Sequence, residues 1–203
     1  MDKKKKNGNL YTVLYAAVMV IIVAVVLAFV SQILKPRQDT NIRQETRRTI
    51  LRSVHLEGQS YEKYITDTAA GPEHLPLFIC TLDDGTRKYI IPMEGKGLWG
   101  SINGYLALND DFRTVYGAVF DHEAETPGLG AEISTPFFSD PFRGKSLYRG
   151  EEFVSLAVVK PGKSVGNPNA VDGISGGTLT SRGVENMIRE SLEPYIPFLK
   201  HYE

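Results

Sequence analysis

The sequence predicts an α+β domain of mainly antiparallel sheet with flanking helices, carried behind one N-terminal transmembrane helix. Three observations predict it. An unbroken apolar run lies near the N-terminus, two hairpin signals follow one another in the middle of the chain, and helical periodicity stands on either side of that strand-rich stretch.

The first element is the apolar run. Leu10 to Leu34 contains no charged residue, and "AAVMVIIVAVVLAFV" (Ala16–Val30) is apolar throughout. A helix of about 20 such residues crosses a bilayer. A cleaved signal peptide has a shorter apolar core of about 7–15 residues and a small-x-small cleavage site. The following "FVSQILKP" offers no such site, so a retained anchor is expected. Lys3, Lys4, Lys5 and Lys6 precede the span, while Lys35 and Arg37 are the near cations after it. The positive-inside rule keeps the lysine cluster in the cytoplasm and sends the rest across. The expected division is a cytoplasmic tail over 1–9, the span over 10–34, a helical stalk and domain start over 35–60, and the exported domain over 61–203.

After Pro36, "DTNIRQETRRTILRSV" reads as a separate helix capped by Thr40, with Ile42, Thr46, Ile50, Leu51 and Val54 at helical spacing. "LPLFICTLDDGTRKYIIPM" reads as a hairpin turning at Asp83-Asp84-Gly85, and "SINGYLALNDDFRTVYGAVFDHE" as a second, turning at Asn109-Asp110-Asp111. Glu152–Lys160 is one further strand, and the Gly/Pro/Asn-rich "KPGKSVGNPNAVDG" is a long loop. Val184, Met187, Ile188 and Leu192 then make an amphipathic helix ending around Pro194.

Charge and cysteine content exclude some functions. Past Lys35 the chain carries 18 Lys and Arg against 23 Asp and Glu, a formal charge of −5. That is no footprint for nucleic acid. The single cysteine, Cys80, cannot form an internal disulfide or a multi-thiolate metal site and reads as a small buried hydrophobe. His122 has no spaced His or Cys partner, so no metal site is implied. Glu123, Glu125 and Glu132 cluster without a fixed separation, and Arg143 and Lys145 read as surface cations. No G-x-G-x-x-G follows a strand, so no nicotinamide site is expected.

The chemistry concentrates in "DGISGGTLTSRGVENMI" (172–188), where Ser175, Thr178, Thr180 and Ser181 crowd a turn around Gly176 and Gly177. A helix N-terminus offers unpaired N–H groups and the positive end of the dipole, which together hold a phosphate. An ordinary cap needs only one Ser or Thr, so a plain capped helix is the alternative reading.

The stretch "SGGT" resembles the S-G-A-T signature of membrane-anchored FMN-binding domains, with Gly177 where that family usually has Ala. The resemblance implies that Thr178 carries FMN as a phosphoester, with Ser175, Gly176, Gly177, Leu179 and Thr180 around it. "ETPGLGAEI" resembles the family's E-T-P-G-L-G loop beside the flavin ring, which implies roles for Glu125, Thr126, Leu129 and Gly130. "GKGLWGSINGYLAL" and "NIRQETRRTIL" are similar to the C-type subunit of the Na+-translocating NADH:quinone reductase, Na+-NQR. There Trp99, the only tryptophan, would lie against the isoalloxazine.

The implied function is a one-electron relay inside a complex that oxidises NADH, reduces quinone and moves Na+. Electrons would arrive from a metal centre in the membrane subunits and leave to another flavin subunit. A flavin transferase would attach the FMN from FAD. The implied location is the bacterial inner membrane, with the domain on the extracytoplasmic side. Two alternatives stay open: a G-type flavin subunit of an Rnf complex, and a flavin-free anchored binding module.

Overall fold

The computed structural model describes residues 3–68 and 75–199. Residues 1 and 2, the start of the expected cytoplasmic tail, lie outside these. The chain divides into two compact units, Met1–Thr46 and Arg47–Glu203.

Helix α1 runs Lys3–Ser53 and is the one helix among the described residues long and apolar enough to cross a membrane. It passes through Pro36 without a break, so the two helices expected on either side of Pro36 are one. Proline lacks the N–H that would bond the carbonyl four residues back, a defect that helices in or near membranes tolerate when other groups compensate. Thr40 is therefore no cap. Its hydroxyl donates to the Pro36 carbonyl at 2.8 Å from inside the helix.

The second unit is built on a five-stranded antiparallel meander: β1 (Ile65–Thr68), β2 (Leu77–Thr81), β3 (Arg87–Lys96), β4 (Ser101–Leu108) and β5 (Val115–His122), in spatial order 1-2-3-4-5. Both hairpins turn where the Asp- and Asn-containing stretches place them. Asp84 accepts from the Thr86 N–H and hydroxyl, and Asp111 accepts from the N–H groups of Arg113 and Thr114. These are Asx turns, the local reason such residues reverse a strand. On β4 and β5 the register slips between Ala107 and Leu108, leaving Tyr116 as the extra residue of a bulge.

Alternation along β3 separates two cores. Tyr89, Ile91 and Met93 face one side, with Leu106, Phe120, Phe138 and Phe142 and with Val184, Met187 and Ile188 of α4 (Thr178–Leu192). Ile90 faces the other side, with Cys80, Ala107 and the last turns of α1 at Ile50, Leu51 and Val54. Two more short helices, α2 (Tyr61–Tyr64) and α3 (Pro136–Ser139), complete the flanks before α4, and α5 (Ile196–Leu199) follows it.

Two expectations fail locally. Glu152–Lys160 is not one strand. It splits into β7 (Glu152–Phe153), paired with β6 (Tyr148–Arg149), and β8 (Ala157–Val159), because Ser155 between them takes a left-handed φ of 62°. The glycine-rich loop after it contains β9 (Ala170–Asp172), which pairs with β8 in parallel. Elsewhere the sheets are antiparallel and the α+β class holds.

Candidate functional site

The topology brings three sequence-distant segments to one end of the sheet. The β3–β4 turn is Gly97–Gly100, closed by Gly97 N–H donating to the Gly100 carbonyl. Ile102 at the start of β4 pairs with His122 at the end of β5, so the loop after β5 emerges beside that turn. The N-terminal half of α4 reaches the same place because Gly183 has no side chain. A Cβ there would overlap the Lys96 carbonyl oxygen and lie 3.4 Å from the Gly97 Cα.

Glu125 joins the three segments. It is 4% exposed, and its carboxylate accepts from the Trp99 N–H at 2.9 Å and from the Thr180 hydroxyl at 2.5 Å. Its own N–H donates to His122 Nδ1 at 3.3 Å. Two glycines make room for the acid. A Cβ on Gly97 would collide with one carboxylate oxygen, and a Cβ on Gly130 with the other and with the Thr180 hydroxyl. Burial pushes the Glu125 carboxyl up. The Thr180 hydroxyl and the N–H groups of Trp99, Leu98 and Gly100 outweigh it, and the acid sits below its ordinary value. It forms no ion pair among the described residues. Its charge is met by dipoles alone.

Helix α4 begins at Thr178, four residues before "RGVENMI", so the T-L-T-S of the motif forms its first turn. The N-cap is Gly177, which provides no side-chain cap. The N–H groups of Thr178, Leu179 and Thr180 therefore stay open for an external acceptor. The hydroxyls of this turn face different ways. Thr180 is 1% exposed and bonded to Glu125. Ser181 is buried and accepts from the Ile174 N–H at 3.0 Å, which holds the turn onto the helix. Ser175 and Thr178 are exposed.

Gly176 takes a φ of +77°, and a Cβ there would stand 2.7 Å from Leu129 Cδ2. Leu129 thus lies across the S-G-G-T turn, and the "ETPGLG" loop and the α4 start touch at this point. Thr126 is exposed and its carbonyl accepts from the N–H groups of Leu129 and Ala131, which folds the loop back on itself. Gly130 is buried under Thr180.

Around this end four large apolar side chains stay exposed: Leu98, Trp99 (67%), Leu129 and Leu179. They come from all three segments. A core position for Trp99 is excluded by that exposure. Trp99, Glu125, Thr126, Leu129, Gly130 and the residues from Ser175 to Thr180 are therefore one neighbourhood. Residues that sequence reasoning left out are Gly97, Gly183 and Leu98. The adjacent "GKGLWG" glycines were the available signal for Gly97. His122 is a loop support, Lys145 donates to the Asn167 carbonyl, and Arg143 lies 5.9 Å from the Tyr116 ring centre, away from this end. No cluster of metal-ligating side chains occurs among the described residues.

An exposed hydroxyl on an uncapped helix start and an apolar rim with an indole suit a ligand with a phosphate at one end and a flat aromatic system at the other. The family model of the FMN-binding domain matches residues 97–193, from the first glycine of the β3–β4 turn to just past α4. A solved structure, the C-type subunit of the Na(+)-translocating NADH-quinone reductase from Parabacteroides distasonis, aligns at 42% identity with a TM-score of 0.75. The match covers 82% of this chain and 96% of that one. The chain belongs to the family of C-type subunits of the Na+-translocating NADH-quinone reductases. A second solved member, from Shewanella oneidensis, shares the fold at 24% identity and a TM-score of 0.68, over 78% of this chain and 98% of that one. Among curated members, that of Vibrio alginolyticus is 37% identical over 125 residues, 62% of this chain and 49% of its own length. The Chlamydia muridarum member is 43% identical over 131 residues, 57% of this chain and 41% of its own length. The chain spans about half the length of the curated relatives it matches.

Proposed function

We propose that this chain holds FMN covalently through a phosphoester on Thr178 and relays single electrons within a Na+-translocating NADH:quinone reductase. The observation that carries the proposal is the orientation of the hydroxyls at the start of α4. Thr180 and Ser181 are buried and hydrogen-bonded inward, while Thr178 is exposed at the first helical position. A phosphate on Thr178 lies within reach of the open first-turn N–H groups and the positive end of the helix dipole.

Bound FMN supplies the one-electron chemistry, and the protein supplies attachment, orientation and electrostatics. Thr178 tethers. Gly176 and Gly177 let the backbone approach without Cβ atoms in the way, and Leu179 and Ser175 flank the attachment point. Trp99 and Leu129 offer apolar surface for the ring, and Leu98 extends it. Thr126 and Gly130 shape the loop beneath. A tether suits a relay, because a carrier in a site open to the extracytoplasmic space must not diffuse away.

The partners in this reading are the membrane subunits, whose metal centre delivers the electron, and another flavin subunit, which receives it. A flavin transferase using FAD installs the FMN. Helix α1 anchors the chain in the bacterial inner membrane across residues 10–34, with 1–9 cytoplasmic, 35–60 leading outward and 61–203 extracytoplasmic. The four lysines before the span support that orientation.

In-gel flavin fluorescence after co-expression with a flavin transferase tests the attachment. Thr178→Ala abolishes the signal and Thr180→Ser keeps it. Covalent flavin on the Thr178 variant would sink the assignment.

A further inference from the structure

We propose that Glu125 is the positioning residue of this site, its carboxylate tying the Trp99 loop to the first turn of α4 and so fixing the indole relative to the attachment hydroxyl. The inference rests on the flavin reading for its purpose, and on the geometry alone for the tie.

Each carboxylate oxygen serves a different segment. One accepts from the Trp99 N–H in the β3–β4 turn; the other accepts from the Thr180 hydroxyl, two residues past Thr178. No other hydrogen bond among the described residues joins that turn directly to the start of α4. The acid itself is anchored from a third segment, through its N–H on His122 Nδ1. Gly97 and Gly130 lack the Cβ atoms that would evict the carboxylate oxygens. Four positions in three segments are thus shaped around one acid. Burying a carboxylate without a cation partner is costly unless several donors meet it, and here the donors are the groups to be positioned.

Glutamine at position 125 retains one acceptor oxygen and replaces the other with an amide NH2. Its oxygen can still accept from the Trp99 N–H while its NH2 donates to the Thr180 hydroxyl, which accepts as readily as it donates. Glu125→Gln therefore takes the charge out of both ends of the tie with almost no change of volume, and each hydrogen bond weakens. Covalent attachment does not need the tie, since Thr178 stays exposed at the helix start.

The experiment uses the full chain in detergent, prepared with and without a flavin transferase, as wild type, Glu125→Gln and Thr180→Val. In the flavin-free chains, amide hydrogen exchange is followed over residues 97–100 and 176–181. Replacing a charged acceptor by a neutral one predicts exchange roughly 10-fold faster at Trp99 in Glu125→Gln. In the loaded chains Glu125→Gln keeps covalent flavin but emits more brightly per flavin, because the indole is held less firmly. Thr180→Val leaves Trp99 protection intact, speeds exchange over 178–181 and also brightens the flavin. Wild-type exchange in both segments of Glu125→Gln would overturn the tie. A lowered melting temperature with unchanged flavin emission per flavin would overturn the positioning role, leaving Glu125 a packing residue. If Glu125→Gln fails to fold, Thr180→Val decides alone, and unchanged flavin emission there overturns the proposal. Absence of covalent flavin on the wild type would instead reject the flavin reading, while the exchange arm still tests the tie.

Discussion

Gly183→Ala is the substitution for which local propensity and tertiary packing disagree most plainly. Glycine inside a helix costs about 1 kcal/mol relative to alanine, so propensity alone predicts a gain in stability. Gly183 is buried against the end of β3. An added Cβ overlaps the Lys96 carbonyl oxygen and also meets the Gly97 Cα and Ile102 Cδ1 at 3.4 Å. Lys96 pairs with Ser101 in the ladder, and Gly97 is bonded to Gly100, so neither backbone can retreat without opening the turn. Overpacking of this kind costs about 1–3 kcal/mol, and a clash with fixed backbone belongs in the upper half of that range. Subtracting the propensity gain leaves a net loss of about 1–2 kcal/mol. For a domain of this size that lowers the melting temperature by roughly 2–8 °C. Thermal unfolding of the full chain in detergent, followed by circular dichroism, measures it. A melting temperature equal to or above wild type would show that α4 does not sit against β3 at Gly183.

Trp99→Leu leaves the melting temperature within a degree or two, since an exposed substitution changes stability by about 0.5 kcal/mol or less. The loaded variant fluoresces more brightly from its flavin; unchanged emission would remove Trp99 from the site. Burial pushes the Cys80 thiol up to about 11, so iodoacetamide labels it only after denaturation, and rapid labelling of the native chain would contradict its place under α1. Glu125 is held below the ordinary carboxyl value of 4.5 in the fold, so its stabilising effect is full above that pH and is lost as pH falls through the depressed value. The melting-temperature gap between wild type and Glu125→Gln therefore closes on acidification. A constant gap from neutral to acid pH would mean the charge plays no part.

Local chemistry was legible and tertiary chemistry was not. The hairpins at Asp83-Asp84-Gly85 and Asn109-Asp110-Asp111 were readable because Asx turns act within a few residues. The end of α4 near Pro194 was readable for the same kind of reason. The split at Ser155 was hidden, since nothing in "EFVSLAVVK" signals a left-handed backbone. Strand β9 was hidden by a loop-like composition around it. Pro36 suggested a boundary that the chain ignores. At the site, the motifs drew attention to Thr178, Trp99 and the Glu125 loop. That Thr180 and Ser181 turn inward depends on partners 55 and 7 residues away, and periodicity carries no information about either. The apolar spacing that starts at Val184 carried no sign that Gly183 is where the helix meets the end of β3.

The glycine N-cap of α4 has a consequence for how the protein matures. A serine or aspartate at that position would finish the helix from within the chain. With Gly177 there, the first-turn N–H groups are left to water or to an acceptor outside the polypeptide. Under the proposed attachment that acceptor is the phosphate on Thr178, which takes the place of water at these donors. Thr180 and Ser181 already pin the turn from within, so loading would be recorded as slower exchange at the N–H groups of 178–180.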